Sequence, residues 1–212
     1  MRNSEKAALR YIGNSYDTNE SGVVTVVGYE GHKKVLIRFQ DDTEIYCRAG
    51  DLLNGEVWNP MQPSSYNGSF FGQGPYMYYK EGTRKKSKEY GYWTGIFYRC
   101  FNEKALARKP SYRDVSVCQE WHNFQEFAEW CQWQVGFENE DWQLDKDLIG
   151  KKSKLYGPEN CCFVPREINM ALVLQERSRG QLPIGVTAAG NKGSKYRAQW
   201  CDGTGQKYSP VL

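Results

Sequence analysis

Residues 142–172 read WQLDKDLIGKKSKLYGPENCCFVPREINMAL, and the alternation of apolar and basic runs within them decides the fold. Leu144 to Leu148 alternates as a strand, Gly150 to Pro158 is a basic loop, and Cys161 to Val164 is a short apolar strand. Pro165 follows where proline is tolerated, in the first turn of a helix running through Ile168, Ala171 and Leu172. The expected order is strand, loop, strand, helix.

Upstream, two apolar stripes predict helices. Trp93, Ile96, Phe97, Cys100 and Phe101 recur at helical spacing from Tyr90 onward. After Cys118, the residues Trp121, Phe124, Phe127, Ala128 and Cys131 fall on one side, with Glu120, Gln125, Glu126 and Glu129 elsewhere. Such stripes are core before they are ligand platforms.

Further upstream, VVTVVGY, VLIRF and TEIYC between Val23 and Cys47 alternate as three short strands broken by acidic and Gly-containing turns. They predict a small Tudor-like β-barrel, and a Gly, Ser and Tyr-rich stretch after it reads as an irregular connector. Downstream, the tail beginning at Pro183 reads as two or three short strands joined by Gly-rich turns. The expected class is α+β. Its divisions are a barrel module over 1–65, a connector over 66–89, a central domain over 90–180 and a short β tail over 181–212.

Composition narrows the function classes. A chain of 212 residues, 40% hydrophobic and 15% aromatic, has enough apolar content for a core without staples. No run approaches the roughly 18 apolar residues of a spanning helix, and the first twenty residues hold no signal core. The expectation is a cytoplasmic protein with no membrane partner. Seven cysteines, an odd number, give no disulfide framework in that setting and leave reduced thiols or a metal site. The net charge is only +3, but Arg84, Lys85, Lys86 and Lys88 form one basic cluster and Lys146, Lys151, Lys152 and Lys154 another. Clustered cations act together on one phosphate track, so DNA is the expected partner, with a solvated basic face as the bland alternative.

Trp93 with Arg99-Cys100-Phe101-Asn102, Val117-Cys118-Gln119-Glu120-Trp121, Leu144-Asp145-Lys146-Asp147, Tyr156-Gly157-Pro158-Glu159-Asn160-Cys161 and Asn169 occur in that order. From Tyr90 to Leu172 this series resembles a phage-encoded HNH-like endonuclease family built on a ββα-metal finger. In such a finger an acidic residue and a helical Asn or His hold one divalent ion, a His activates water, and a loop Asn orients that His. The resemblance implies Asp145 and Asn169 as ligands of Mg²⁺ or a similar ion and Asn160 as the loop Asn. Lys146 stands where the His is expected. It also replaces the family's usual Arg, while Asp147 comes one place early and Cys162-Phe163 stands for the common Arg-Trp. Cys100, Cys118 and Cys161 occupy the family's recurring cysteine positions; they are candidate zinc ligands, with packing as the alternative and His122 the nearest fourth ligand. Pro183-Ile184-Gly185-Val186 and Tyr196-Arg197-Ala198 resemble the opening of a plant-transcription-factor type of DNA-binding domain, whose final helix would lie beyond Leu212.

Two functions follow as expectations. One is a metal-dependent DNA endonuclease in which Lys146 steadies phosphate and Asp147 or His122 serves as an improvised base. An ammonium of ordinary pKa cannot accept a proton at neutral pH, which weighs against it. The other is a non-catalytic protein of an infected host cell, with a degenerate core that binds nucleic acid or, as adaptor or inhibitor, a host protein.

Overall fold

The computed structural model describes residues 9–64, 67–150, 153–172, 182, 186–189, 195–201 and 207–209, and the chain is mixed α+β with several small sheets. It forms two compact units, one of Met1–Glu138 with Leu144–Phe163 and the other of Asn139–Gln143 with Val164–Leu212. The boundaries expected after residues 65 and 89 fall within the first unit, and the one after 180 within the second.

The first unit opens with an antiparallel sheet of β1 (Ser15–Asp17), β2 (Val23–Gly31), β3 (Lys34–Arg38) and β4 (Glu44–Cys47) in that order. Period-two alternation sends Val24, Val26, Val35 and Ile37 inward, where they pack with Phe39, Val57 and the Ala49 and Leu52 side chains of α1 (Ala49–Leu53). The β3–β4 turn places Asp42 at φ 64 and is closed by Asp41 Oδ1, which accepts the Thr43 N–H at 3.1 Å. Among the described residues this sheet is an open meander, which corrects the expected barrel. The chain leaves β4 into α1 instead of adding a closing strand.

The aromatic stripes form a second core. Helix α2 (Lys88–Phe101) buries Trp93, Ile96, Phe97 and Cys100, and Ser87 caps it by accepting the Tyr90 N–H. Asn102 ends α2 and caps α3 (Glu103–Arg108), a short helix the periodicity did not predict. The second stripe is not one helix: Trp121 lies in a 3₁₀ turn, Glu120–His122, and Asn123 then caps α4 (Phe124–Gln132). Trp121, Phe124 and Phe127 are fully buried all the same, and the Trp93 indole donates to the Trp121 carbonyl at 2.7 Å.

The connector is fastened. Phe70 bridges Asn123 in parallel, its N–H on the His122 carbonyl and its own carbonyl accepting from Phe124. Gln125, expected off the buried face, is 6% exposed. Its Oε1 accepts the Tyr76 N–H at 3.0 Å and its Nε2 donates to the carbonyls of Tyr76 and Phe71. A Cβ on Gly72 or Gly74 would collide with Asn123 or Gln125, so glycine lets the connector lie this close.

In the decisive segment the expected order of elements holds, but the bounds move. Strand β6 is Trp142–Asp145, and it pairs with β8 (Cys162–Pro165). The run to Leu148 turns away because the Asp145 carboxylate captures the next N–H groups. Within the basic loop, β7 (Leu155–Tyr156) pairs in parallel with β5 (Ser116–Val117), burying Tyr156. Pro165 ends β8, and helix α5 begins one residue later, Arg166–Leu172; proline's fixed φ suits the end of a strand as well as a first turn. Among the described residues, the tail has four short strands in two antiparallel pairs: β9 (Val186–Ala189) with β10 (Lys195–Ala198), and β11 (Trp200–Cys201) with β12 (Lys207–Tyr208). No described helix is long and apolar enough to cross a membrane.

Candidate functional site

The turn after β6 is closed by its own side chains. Asp145 Oδ1 accepts the N–H groups of Asp147 at 2.9 Å and Leu148 at 2.7 Å. Lys146 Nζ donates to Asp147 Oδ1 at 2.5 Å and to the Ser153 carbonyl at 3.1 Å. The Lys146 side chain is 11% exposed, whereas that of Asp147 is 54% exposed. Asn160 lies against the same turn, since a Cβ on Gly150 would stand 3.1 Å from the Asn160 Cβ. Four of the predicted residues, Asp145, Lys146, Asp147 and Asn160, therefore share one small region. A divalent ion seeking both carboxylates would have to displace the Lys146 ammonium from Asp147 and compete with two backbone donors on Asp145. The donor set is that of a self-capped turn.

The remaining candidates have other settings. Asn169 lies on α5 in the second unit, where its amide donates to Gln143 Oε1 at 2.8 Å. The His122 ring stands edge-on to Phe97 at 5.3 Å, in the aromatic core. Burial pushes the Cys100 and Cys118 thiols up to about 11 and the Cys161 thiol up to about 12. A Cβ on Gly157 would stand 3.4 Å from Cys118 Sγ, an ordinary contact, and the Gly157 carbonyl accepts the Cys161 N–H. Packed this way the cysteines behave as small apolar residues. Among the described residues no three His, Cys, Asp or Glu side chains gather as a metal cage.

The basic clusters divide. Lys151 and Lys152 lie outside the described residues, and Lys154 pairs with Asp114 at 2.8 Å, both side chains largely exposed. The ammonium beside it holds the Asp114 carboxyl below its ordinary range. Lys88 is structural: its Nζ donates to the Phe137 carbonyl and sits 5.1 Å over the Phe137 ring. Arg84, Lys85 and Lys86 belong to a hairpin in which Tyr79 bridges Lys86 and the Lys80 N–H meets the Lys85 carbonyl at 2.9 Å. Arg84 and Lys85 are exposed there. The Lys86 ammonium stands 5.7 Å over the Tyr78 ring and 5.5 Å over the Tyr90 ring, within cation–π range.

Sequence reading missed the residues that hold this hairpin to the core. Asn123 carried a usable signal, an Asn directly before an apolar helical run. Gln125 carried none, because only the returning connector gives its amide a reason to be buried. Compared with known proteins, the chain matches no family model, no curated protein and no solved structure.

Proposed function

We propose that this protein binds nucleic acid without cleaving it, through the basic hairpin of Arg84, Lys85 and Lys86, and that its strand–loop–strand–helix segment is a degenerate HNH-like finger serving as scaffold. One observation carries the reading. Exposed cations project from a hairpin whose third cation, Lys86, is seated on tyrosine rings, so charge and aromatic surface are offered together. That pairing suits a polyanion whose bases have π faces. The closed turn at Asp145 supports binding over cleavage, because the group in the histidine's place is an ammonium already committed to Asp147 and Ser153.

The endonuclease reading is kept because Asp145 ends β6, where the acidic ligand of a ββα-metal finger belongs, and a helix carrying Asn169 follows β8. One experiment separates the two. Purified protein is incubated with labelled DNA for gel shift and with supercoiled plasmid in Mg²⁺ or Mn²⁺, with EDTA, Asp145→Ala and Lys146→His in parallel. The binding reading expects a shift with no nicking by the wild type. Metal-dependent nicking that Asp145→Ala abolishes would establish the nuclease instead. A protein that shifts no nucleic acid leaves the host-protein adaptor as the function to pursue.

A further inference from the structure

Beside the hairpin the first unit contains an open cleft of about 500 Å³, lined among others by Glu20, Trp58, Phe71, Tyr78, Tyr79 and Tyr90. This lies within the roughly 300–1,000 Å³ of sites that hold small molecules. Its walls are mutually supported. Trp58 stands edge-on to Phe71 at 5.4 Å, Phe71 meets Phe124 at 4.9 Å, and Tyr78 meets Tyr90 at 4.3 Å. Two lining aromatics nevertheless keep much of their surface in solvent, Trp58 at 46% and Tyr79 at 49% exposed.

Resting on the nucleic-acid reading, we infer that this cleft takes one unstacked base of a single strand, with the flanking phosphates on Arg84, Lys85 and Lys86. The charges select the occupant. Lys86 already faces Tyr78 and Tyr90, so a cationic ligand would meet a like charge at these rings. Glu20 lines the cleft and repels a phosphate, so the sugar–phosphate chain stays outside while an uncharged aromatic group enters. From Lys80 to Lys86 the hairpin carries four cationic residues against one acid, Glu81, which gives the excluded phosphates their counter-charge. A duplex buries its base faces in its own stack and cannot offer one to the cleft without extruding it, so a single strand is preferred.

The test uses the full chain and an oligonucleotide bearing one 2-aminopurine, as a single strand and annealed to its complement, with affinity read by anisotropy and base environment by 2-aminopurine fluorescence. The single strand should bind more tightly than the duplex, with its fluorescence quenched on binding. Trp58→Ala and Tyr79→Ala should each weaken single-strand binding roughly tenfold while leaving the salt dependence unchanged, as expected for lost base stacking. Thermal melts of both variants exclude misfolding, and Tyr79 stands as a second position should Trp58→Ala fail to fold. Equal affinity for duplex and single strand, or affinities of both folded variants equal to wild type, overturns the cleft assignment alone. Absence of binding to every nucleic acid overturns the function beneath it as well.

Discussion

Gly150 has no room for a side chain, because a Cβ there would collide with the Lys146 carbonyl oxygen and press on Asn160. Backbone is the obstacle, so the turn itself must shift. Gly150→Ala should lower stability by about 1–3 kcal/mol, the usual range for overpacking, as read from denaturant midpoints. Asp145 acts on the same turn through its cap. Asp145→Ala removes the acceptor of two N–H groups and should cost about 0.5–2 kcal/mol, whereas Asp145→Asn keeps an acceptor oxygen and should cost less. Equal losses in the two variants would show that charge, and not the cap, is what Asp145 supplies.

At the scale of elements, one carboxamide fastens the connector beyond the Phe70–Asn123 bridge. Gln125 reaches Tyr76 and Phe71 across 49 and 54 positions of sequence. Gln125→Ala would leave a part-buried N–H and two carbonyls without their side-chain partner, each unmet group costing at most about 1–3 kcal/mol. Because the connector carries Tyr78 and Tyr79, the variant should also expose the segment to limited proteolysis between residues 70 and 80 before the protein unfolds globally. The contrast is Asn102→Ala. It removes the cap of α3, which buries no residue, and should cost only about 0.5–2 kcal/mol with no change in connector cleavage. The aromatic helices were legible because their stripe repeats within a few residues. The connector was not, because its partners lie on a distant helix.

For the whole molecule, alkaline pH and salt report on core and surface separately. Cys100, Cys118 and Cys161 have ordinary thiol values of 9.0 raised to about 11, 11 and 12 by burial. Their folded pKa lies above the unfolded one, so the folded state retains protons that the unfolded chain has already released. The stabilisation is complete below pH 9.0 and is lost as pH rises toward the folded values near 11 and 12. Melting temperature should fall across that window, and thiolate absorbance should rise together with unfolding. Salt tests the surface: Arg84, Lys85 and Lys86 replaced by Ala should flatten the slope of log affinity against log salt by about 2 on a single strand, at about 0.7 per lost phosphate contact. The Lys154–Asp114 pair is exposed and screened by solvent, so Lys154→Ala should leave stability nearly unchanged.

The sequence by itself determined the elements whose signal is local. Alternation at Val24, Val26, Val35 and Ile37 specified β2 and β3, the stripe from Trp93 to Cys100 specified α2, and the apolar run before Ile168 specified the strand and helix around Pro165. Each follows from a side-chain period of two or 3.6, which neighbours in sequence suffice to reveal. Only the tertiary structure decided that the sheet stays open, that β5 and β7 pair in parallel, and that Gln125 is buried. It alone seated Lys86 on two tyrosines and Lys88 on Phe137, and turned Asp145 back on its own backbone. Polar and charged groups have no periodicity to betray their fate. Their placement is set by whichever partner the folded chain brings within hydrogen-bonding distance, and those partners are non-local or, as at Asp145, depend on where a strand ends.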